Sequence, residues 1–446
     1  MLPIYNGKHL NRLKAVSVST VRVKRTCYTF LNVLNNSKLW KIIALITIFL
    51  NYRLIQQIRY KDEKFVEITR KNSLVLSSRE YEKEYCVIPD YWDPDVLSFP
   101  RSSITLVTHT AIEFIDYLDE HLKTWTGPIS IAVIVPNPMH AYNLTGHDDY
   151  GTEEAVNYAF TYSLAKLDML KAKQSKQITM NLIYKKEDKC HETLNVPLIR
   201  LVENKEFVTD RYNLIRRFAG YPANYLRNMA RYGSKTNLIF QTDIENIPSE
   251  DFEQSLRPLA NELLVSAQRK SLLIVPEFET TLGLDIPRNK PQLQQMYASG
   301  DVIESYTRRF HSANHRLPYI RQWMESNDSA IIPFKIIPYQ GNMWEPAFVT
   351  YHRVLPFHPL LISDIHQDAR FQVEETCRAG FDYIMVSNLF TVHPGFRLIA
   401  DKIIDGARND TMREMLTSYS NFKSNLDQRY PGTKDKCPDK SVERVL

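Results

Sequence analysis

Four apolar runs rich in β-branched residues, at 104–109, 129–135, 177–184 and 238–242, constrain this chain more than any other feature. An amphipathic helical pattern over 111–125 follows the first run, and another over 219–232 precedes the last. Strand, helix and strand in that order predict an α/β domain built on a parallel sheet. Ligands of such open sheets collect beyond the carboxyl ends of the strands. Thr108, His109 and Asp243 fall at such ends, and the fourth run leads straight into Thr242-Asp243-Ile244-Glu245. Two carboxylates one residue apart suit a hard divalent cation, Mg²⁺ or Mn²⁺, which shares its oxygen ligands with substrate phosphates. The same four residues also suit a turn or helix cap ahead of Pro248. None of the 13 glycines falls into a glycine-rich phosphate loop, so a nucleotide diphosphate has to be held another way.

Further strands are predicted at 271–276, 347–351, 381–386 and 389–393, the last ending at His393, with helices at 374–379 and 406–430. A long polar stretch separates the first two of these strands, and no internal repeat or low-complexity run interrupts the chain.

Charge divides the chain unevenly. The formal charge is +5, yet residues 1–61 hold eleven Lys or Arg and no acid, leaving 45 basic against 51 acidic residues beyond them. A mildly acidic body offers no electrostatic footprint for nucleic acid. Within the basic tail, residues 42–50 form an apolar run flanked by Lys38 and Lys41 before it and Arg53 after it. A membrane span needs roughly 17–25 residues, a length reached over 39–55 if Lys41 and Arg53 snorkel. The bias of basic residues toward the amino-terminal side places that end in the cytosol. The resulting expectation is a cytosolic tail over 1–38, a signal anchor over 39–55, a stem and entry to the fold over 56–100, and a lumenal domain over 101–440; the competing reading of the run is a buried or interfacial helix.

A secretory compartment also fits the sequons at Asn143, Asn327 and Asn409, which are candidate glycosylation sites. Beyond the anchor, Cys86, Cys190, Cys377 and Cys437 form two disulfides in any of three connectivities, and Cys27 stays cytosolic. No C-x-x-C or H-E-x-x-H zinc pattern occurs.

The stretch Tyr221-Pro222-Ala223-Asn224-Tyr225-Leu226-Arg227-Asn228-Met229-Ala230-Arg231, followed by Asp243-Ile244-Glu245-Asn246-Ile247-Pro248-Ser249, resembles glycosyltransferase family 49. The likeness runs in collinear order from about 100 to 440 through Leu106-Val107-Thr108-His109, Trp125-Thr126-Gly127-Pro128, Trp344-Glu345-Pro346, Ala379-Gly380-Phe381-Asp382 and Phe390-Thr391-Val392-His393-Pro394-Gly395-Phe396, ending at Tyr430-Pro431 and Cys437. The resemblance implies a GT-A-type, Rossmann-like nucleotide-sugar transferase domain behind a single transmembrane helix, that is, a type II Golgi membrane protein. It further implies a Mn²⁺-dependent UDP-sugar site and inverting transfer of glucuronate or N-acetylglucosamine to a glycan acceptor. By the same resemblance Asp243, Glu245 and His393 are metal ligands, although His393 taken alone reads as an ordinary packed histidine. Thr108, His109, Arg227, Asn228 and Asp243 are then donor-site candidates, while Trp344 and Glu345 face the acceptor or donor sugar.

Two departures from the family pattern stand out. The second carboxylate is Glu245 rather than Asp, and Phe357-His358-Pro359-Leu360-Leu361 with Asp364-Ile365-His366-Gln367-Asp368 replaces a segment that carries an acidic pair in the family. An inverting transfer needs a base for the attacking hydroxyl, and the candidates are Glu345, Asp364, Asp368 and Glu375. The second functional reading is an inactive lumenal member that binds glycan or partners an active glycosyltransferase.

Overall fold

The computed structural model describes residues 66–93, 99–138, 158–170, 173, 175–201, 221–305, 317–341, 344–360, 369–396 and 402–438. The apolar run at 42–50, Asn143, Asp364 and Asp368 lie outside the described residues. Among the described residues no helix is long and apolar enough to cross a membrane.

In chain order the strands are β1 (Val66–Leu76), β2 (Arg79–Tyr81), β3 (Tyr85–Trp92), β4 (Ile104–Ala111), β5 (Ile129–Ile134), β6 (Ile178–Lys185), β7 (Leu194–Leu201) and β8 (Leu238–Gln241). They continue as β9 (Ile247–Pro248), β10 (Ser271–Val275), β11 (Glu277–Thr280), β12 (Val302–Glu304), β13 (Pro333–Ile337), β14 (Ala347–Tyr351), β15 (Asp382–Val386) and β16 (Thr391–Pro394). Ten of them form one sheet in the order β13-β15-β10-β14-β8-β4-β5-β6-β3-β2. A four-stranded sheet, β12-β11-β16-β9, stands apart from it, and β1 pairs with β7.

All four strands expected from the leading apolar runs form, and β8, β4, β5 and β6 are parallel neighbours. The sheet as a whole is mixed rather than parallel. β14 enters antiparallel between β8 and β10, and β3 adds antiparallel to β6. The main sheet therefore begins at β2 and β3, inside the stretch expected to hold the stem and the entry to the fold. Its signal was hidden because Pro89, Asp90 and Tyr91 break the apolar pattern of β3 while Tyr85 to Ile88 are buried. The expected helix over 111–125 is only a 3-10 turn at Ile112–Phe114 and a helix at Tyr117–His121. The polar stretch after β10 also holds structure, with helices at Lys290–Ser299 and Ile320–Glu325.

Alternation along each strand sends its side chains to two cores. Leu106, Ile131, Leu182 and Phe240 face one side, where the helices Tyr158–Met169 and Phe252–Ala260 contribute Phe160, Leu164, Phe252 and Leu256. Trp125 packs between Phe240 and Phe252 on that side, with ring centroids 5.7 and 5.6 Å away. Val107, Ala132, Ile183 and Ile239 face the other side, covered by Leu226, Met229 and Ala230 of the helix Ala223–Gly233. Of the three possible disulfide connectivities, the structure forms Cys86–Cys190 and Cys377–Cys437. The first ties β3 to the turn after β6, and the second fastens the helix Ala369–Arg378 to the chain's end.

The helix Ala223–Gly233 approaches the sheet so closely that a Cβ on Gly233 would overlap Ser130 Oγ and stand 3.0 Å from Asn181 Nδ2. Ser130 Oγ already donates to the Ala230 carbonyl at 2.6 Å, which leaves it little room to yield. Gly233→Ala is expected to lower stability by about 1–3 kcal/mol through overpacking. Denaturant unfolding measures this, and an unchanged midpoint would mean that the helix can lift without cost.

Candidate functional site

The acidic loop is placed by strand register. Val107 of β4 lies beside Gln241 of β8, and the Thr242 amide continues the ladder to the Val107 carbonyl at 3.3 Å. One step further, His109 and Asp243 come level, with Nε2 of one 3.6 Å from Oδ1 of the other. Antiparallel β14 sets Phe348 beside Gln241, so the same register carries Glu345 to the level of the acidic loop from the opposite side.

Ile244 anchors this loop. Its side chain is buried in the core at 2 % exposure, and its carbonyl accepts the Nε2–H of His121 at 2.8 Å. The Asn246 amide closes the turn onto the Asp243 carbonyl at 3.1 Å, and Asn246 Nδ2 donates to Glu277 Oε1 at 2.9 Å. With the middle residue sunk into the core, both flanking carboxylates are fixed in direction by the backbone. His121 is fully buried, and burial pushes its pKa down to about 4 against the opposing pull of the Ile244 carbonyl. It is a neutral donor at physiological pH.

The helix Ala223–Gly233 presents Asn224, Arg227, Asn228 and Arg231 at the i, i+3, i+4, i+7 spacing of a single face, and all four are buried. Arg227 Nη2 lies 3.4 Å from Asp243 Oδ1, and its Nη1 donates to Asn224 Oδ1 at 3.1 Å. Asn224 Nδ2 donates to the Pro359 carbonyl at 2.8 Å. Asn228 clamps the His358 backbone from both ends, giving Nδ2–H to its carbonyl at 2.9 Å and accepting its amide at 3.0 Å. Arg231 donates to the carbonyls of Pro356 at 2.9 Å and Leu355 at 2.6 Å, and to that of His352. The departing segment thus lies directly on the helix that also holds Asp243.

The two carboxyl groups in this crevice have opposed acidities. Burial pulls the Asp243 pKa up, while the contact with His109 and the charge of Arg227 pull it down. Burial raises the Glu345 pKa and the Asp243 charge raises it further, against the pull of Arg227 and Arg370. Glu345 Oε1 is buried without a hydrogen-bond partner among the described residues. His358 is held well below its ordinary pKa by burial and by the charges of Arg227 and Arg231; its Nε2 accepts from the Gln241 amide nitrogen Nε2 at 2.9 Å.

The expected residues divide into those brought together and those placed elsewhere. His109, Arg227, Asp243 and Glu345 gather into one cluster. Thr108 projects toward the opposite core from His109, because side chains alternate across β4. Asn228 fixes the loop rather than opening to a donor. Trp344 is 3 % exposed and packs edge-on to Tyr383 with centroids 5.0 Å apart, so it supports the site from within the core and presents no free face to a sugar. Glu375 turns to the C-terminal helix Lys402–Arg429, where it pairs with Arg429 and accepts from the Tyr430 hydroxyl at 3.1 Å. Asn327 is exposed, and Asn409 lies in that C-terminal helix. Tyr221, which meets His109 Nδ1 at 2.7 Å, and His121 were not anticipated from the sequence. Tyr221 opens the family-like block, whereas a lone histidine in a short helix carries no comparable signal.

Glu245 is buried beside β9, whose Ile247 pairs with Val392 of β16. Continuing that register places His393 opposite Asn246. His393 Nδ1 bonds the Gly395 carbonyl at 2.8 Å, which directs Nε2 to serve as an acceptor or ligand. Among the described residues no three His, Cys, Asp or Glu side chains converge into a metal cage. A cation shared with a diphosphate needs only one or two carboxylates from the protein. An ionised Asp243 fits that requirement.

An α/β sheet with such a cluster at its strand ends is a ligand-binding architecture. The sequence profile of the family described as "Glycosyl-transferase for dystroglycan" matches residues 103–431, and the chain belongs to that family. It is 24% identical over 359 residues to beta-1,4-glucuronyltransferase 1 of Danio rerio, covering 76% of this chain and 77% of that one. Against the Bos taurus protein of the same name it is 25% identical over 359 residues, covering 75% and 78%. It is 23% identical over 349 residues to the xylosyl- and glucuronyltransferase LARGE2s of Gallus gallus, covering 75% of this chain and 38% of that one. The chain is a sugar-transferring enzyme of mixed α/β, GT-A-like architecture.

Because His121 binds a proton less readily folded than unfolded, its burial stabilises the fold above the unfolded pKa near 6.5 and that stability is lost as pH falls toward about 4. His121→Gln is expected to flatten this part of the stability profile. Urea midpoints from pH 7 to pH 4 test it, and parallel profiles for the two proteins would refute the assignment.

Proposed function

We propose that the chain moves a sugar, glucuronate or N-acetylglucosamine, from a UDP-sugar to a hydroxyl of a glycan acceptor, with metal dependence and inversion at the transferred carbon. The observation that carries this reading is the meeting of Asp243, Arg227, His109 and Glu345 at the ends of β4, β8 and β14. Of the expected ligands Asp243, Glu245 and His393, which do not converge as a threesome among the described residues, Asp243 is the one that would share Mn²⁺ with the diphosphate. Bound there, the cation supplies charge neutralisation to the departing UDP.

The remaining chemistry falls to the chain's own residues. Arg227 offers a guanidinium to the diphosphate or to a sugar carboxylate, in place of its contact with Asp243. Of the base candidates within the described residues, Glu345 borders Asp243 and Arg227, while Glu375 is engaged by Arg429 and Tyr430. A carboxyl with raised proton affinity and an unpartnered oxygen suits removal of the acceptor's proton as its oxygen attacks the sugar from the face opposite UDP. The hydroxyl oxygen forms the new bond, its proton passes to Glu345, and the bond to UDP breaks.

The two disulfides, the sequons and the amino-terminal basic and apolar pattern support a type II protein of the Golgi membrane with its catalytic domain in the lumen. Association with another glycosyltransferase is compatible with this placement. One contact favours the second reading, an inactive glycan-binding member: Arg227 already neutralises the carboxylate that a cation would use.

Calorimetric titration with UDP separates the two readings. Binding is expected to require Mn²⁺, to vanish in EDTA and to weaken at least tenfold in Asp243→Asn; a folded chain that binds no UDP would exclude the transferase mechanism. Glu345→Gln is expected to retain UDP binding while transfer falls by about 10²–10⁴-fold, the usual contribution of a positioned base. Undiminished turnover in that variant would remove Glu345 from the role.

A further inference from the structure

The segment that departs from the family pattern sets one side chain against the acidic cluster. Val107 and Ile239 face the core on the side of the helix Ala223–Gly233, and alternation along β8 carries Gln241 to the same face. Gln241 Nε2 lies 2.9 Å from His358 Nε2, while Asn228 of the helix holds the His358 backbone by its carbonyl and its amide. The imidazole is therefore pinned to the strand residue two positions before Asp243. It is 3% exposed, and the charges of Arg227, Arg231, His109 and Asp243 all reach it.

The surrounding hydrogen bonds decide which ring nitrogen carries the proton. The Pro356 carbonyl can only accept, so Gln372 turns its amide nitrogen to it, at 2.7 Å. Gln372 Oε1 then faces Gln241 and accepts from its Nε2 at 3.0 Å. That amide nitrogen has a second hydrogen, and His358 Nε2 receives it. With Nε2 an acceptor in a neutral ring, the proton sits on Nδ1. Burial and the charges of Arg227, Arg231 and His109 oppose a second proton, against the pull of Asp243.

Nδ1 ends this run of donors without an acceptor of its own. It is buried and has no hydrogen-bond partner among the described residues. A buried N–H left in that state costs free energy, and native proteins rarely keep one unless something else completes it. The completing group has to accept a hydrogen bond. Negative charge suits it, because Arg227 and Arg231 outnumber Asp243 around the ring. Carboxylates, which the family pattern places in this segment, would repel such an anion, whereas a neutral N–H donor draws it in.

We propose that His358 Nδ1–H donates a hydrogen bond to an anionic oxygen of the nucleotide-sugar held beside Asp243. The ligand in this assignment rests on the transferase reading. The diphosphate and a sugar carboxylate offer the same chemistry, and the experiment tells them apart.

Two replacements separate the two ring nitrogens. Asparagine ends its amide near the place of Nδ1, and glutamine ends its own near the place of Nε2. His358→Gln thus keeps the contact with Gln241 and loses the Nδ1 donor, while His358→Asn does the reverse; Asn228 grips only the backbone and is unaffected by either. Calorimetric titration of the full-length chain with UDP, UDP-glucose and UDP-glucuronate in Mn²⁺ reads the difference, with urea midpoints to verify folding. His358→Gln is expected to bind about tenfold more weakly, the worth of one hydrogen bond to a charged group, and His358→Asn to recover most of that loss. Weakening toward all three ligands assigns the oxygen to the diphosphate, and weakening confined to UDP-glucuronate assigns it to the sugar carboxylate. A purely structural imidazole gives the opposite order, with the glutamine variant the better binder. Unchanged affinity in His358→Gln, or no better binding by His358→Asn than by His358→Gln, would overturn the proposal. If the unaltered chain binds none of the three ligands, the transferase reading falls and this assignment with it; binding that ignores His358 removes the assignment alone.

Discussion

The structure depends on burying a helix that is polar along one face. Ala223–Gly233 packs Leu226 and Ala230 onto the sheet, yet Asn224, Arg227, Asn228 and Arg231 are buried with them. A buried amide or guanidinium without partners costs several kcal/mol, on the order of a large part of a domain's net stability. The chain meets that demand by bringing a loop and an acidic turn to the helix. Carbonyls from 352 to 359 answer three of the four residues, and Asp243 answers the other. Satisfying these hydrogen bonds therefore builds the site: the same contacts that make the helix tolerable fix the carboxylate and the wall facing it.

The electrostatic consequence is two neighbouring carboxyl groups with different tasks. His109 and Arg227 draw the Asp243 pKa down, whereas burial and the Asp243 charge raise that of Glu345 against the pull of Arg227 and Arg370. Environments that push paired acids apart in this way assign one to hold positive charge and the other to move a proton. Replacing Arg227 would disturb both, since it lowers the one and restrains the other. The acidity difference is thus a property of the cluster and not of either residue.

Legibility in the sequence followed the range of the interactions. The runs at 104–109, 129–135, 177–184 and 238–242 are local patterns, and each became a strand with a boundary shift of one or two residues. The acidic turn after β8 was equally visible. β14 and β3, which help make the sheet mixed, are placed against β8 and β6 by pairing across more than 85 residues, and nothing local states their direction. Glu345 was nameable from Trp344-Glu345-Pro346, but its level beside Asp243 follows only from the β8–β14 register. Trp344 shows the reverse case. An aromatic beside an acid reads as a sugar platform, and tertiary packing against Tyr383 placed it in the core instead.

Phe357 lies in the segment where the chain departs from its family pattern, a place where the sequence marks a loss of the expected acidic pair. The helix face supplies the missing information. Asn224, Asn228 and Arg231 recur at the spacing of one helical face, and side chains of that kind, once buried, require backbone carbonyls or amides from somewhere else in the chain. Proline supplies a carbonyl but no amide hydrogen, so Pro356 and Pro359 present acceptors without adding donors that would need partners of their own. The departing segment is thus matched to this helix rather than degraded, and holding its backbone from beneath is what leaves the Phe357 ring turned outward beside Arg353.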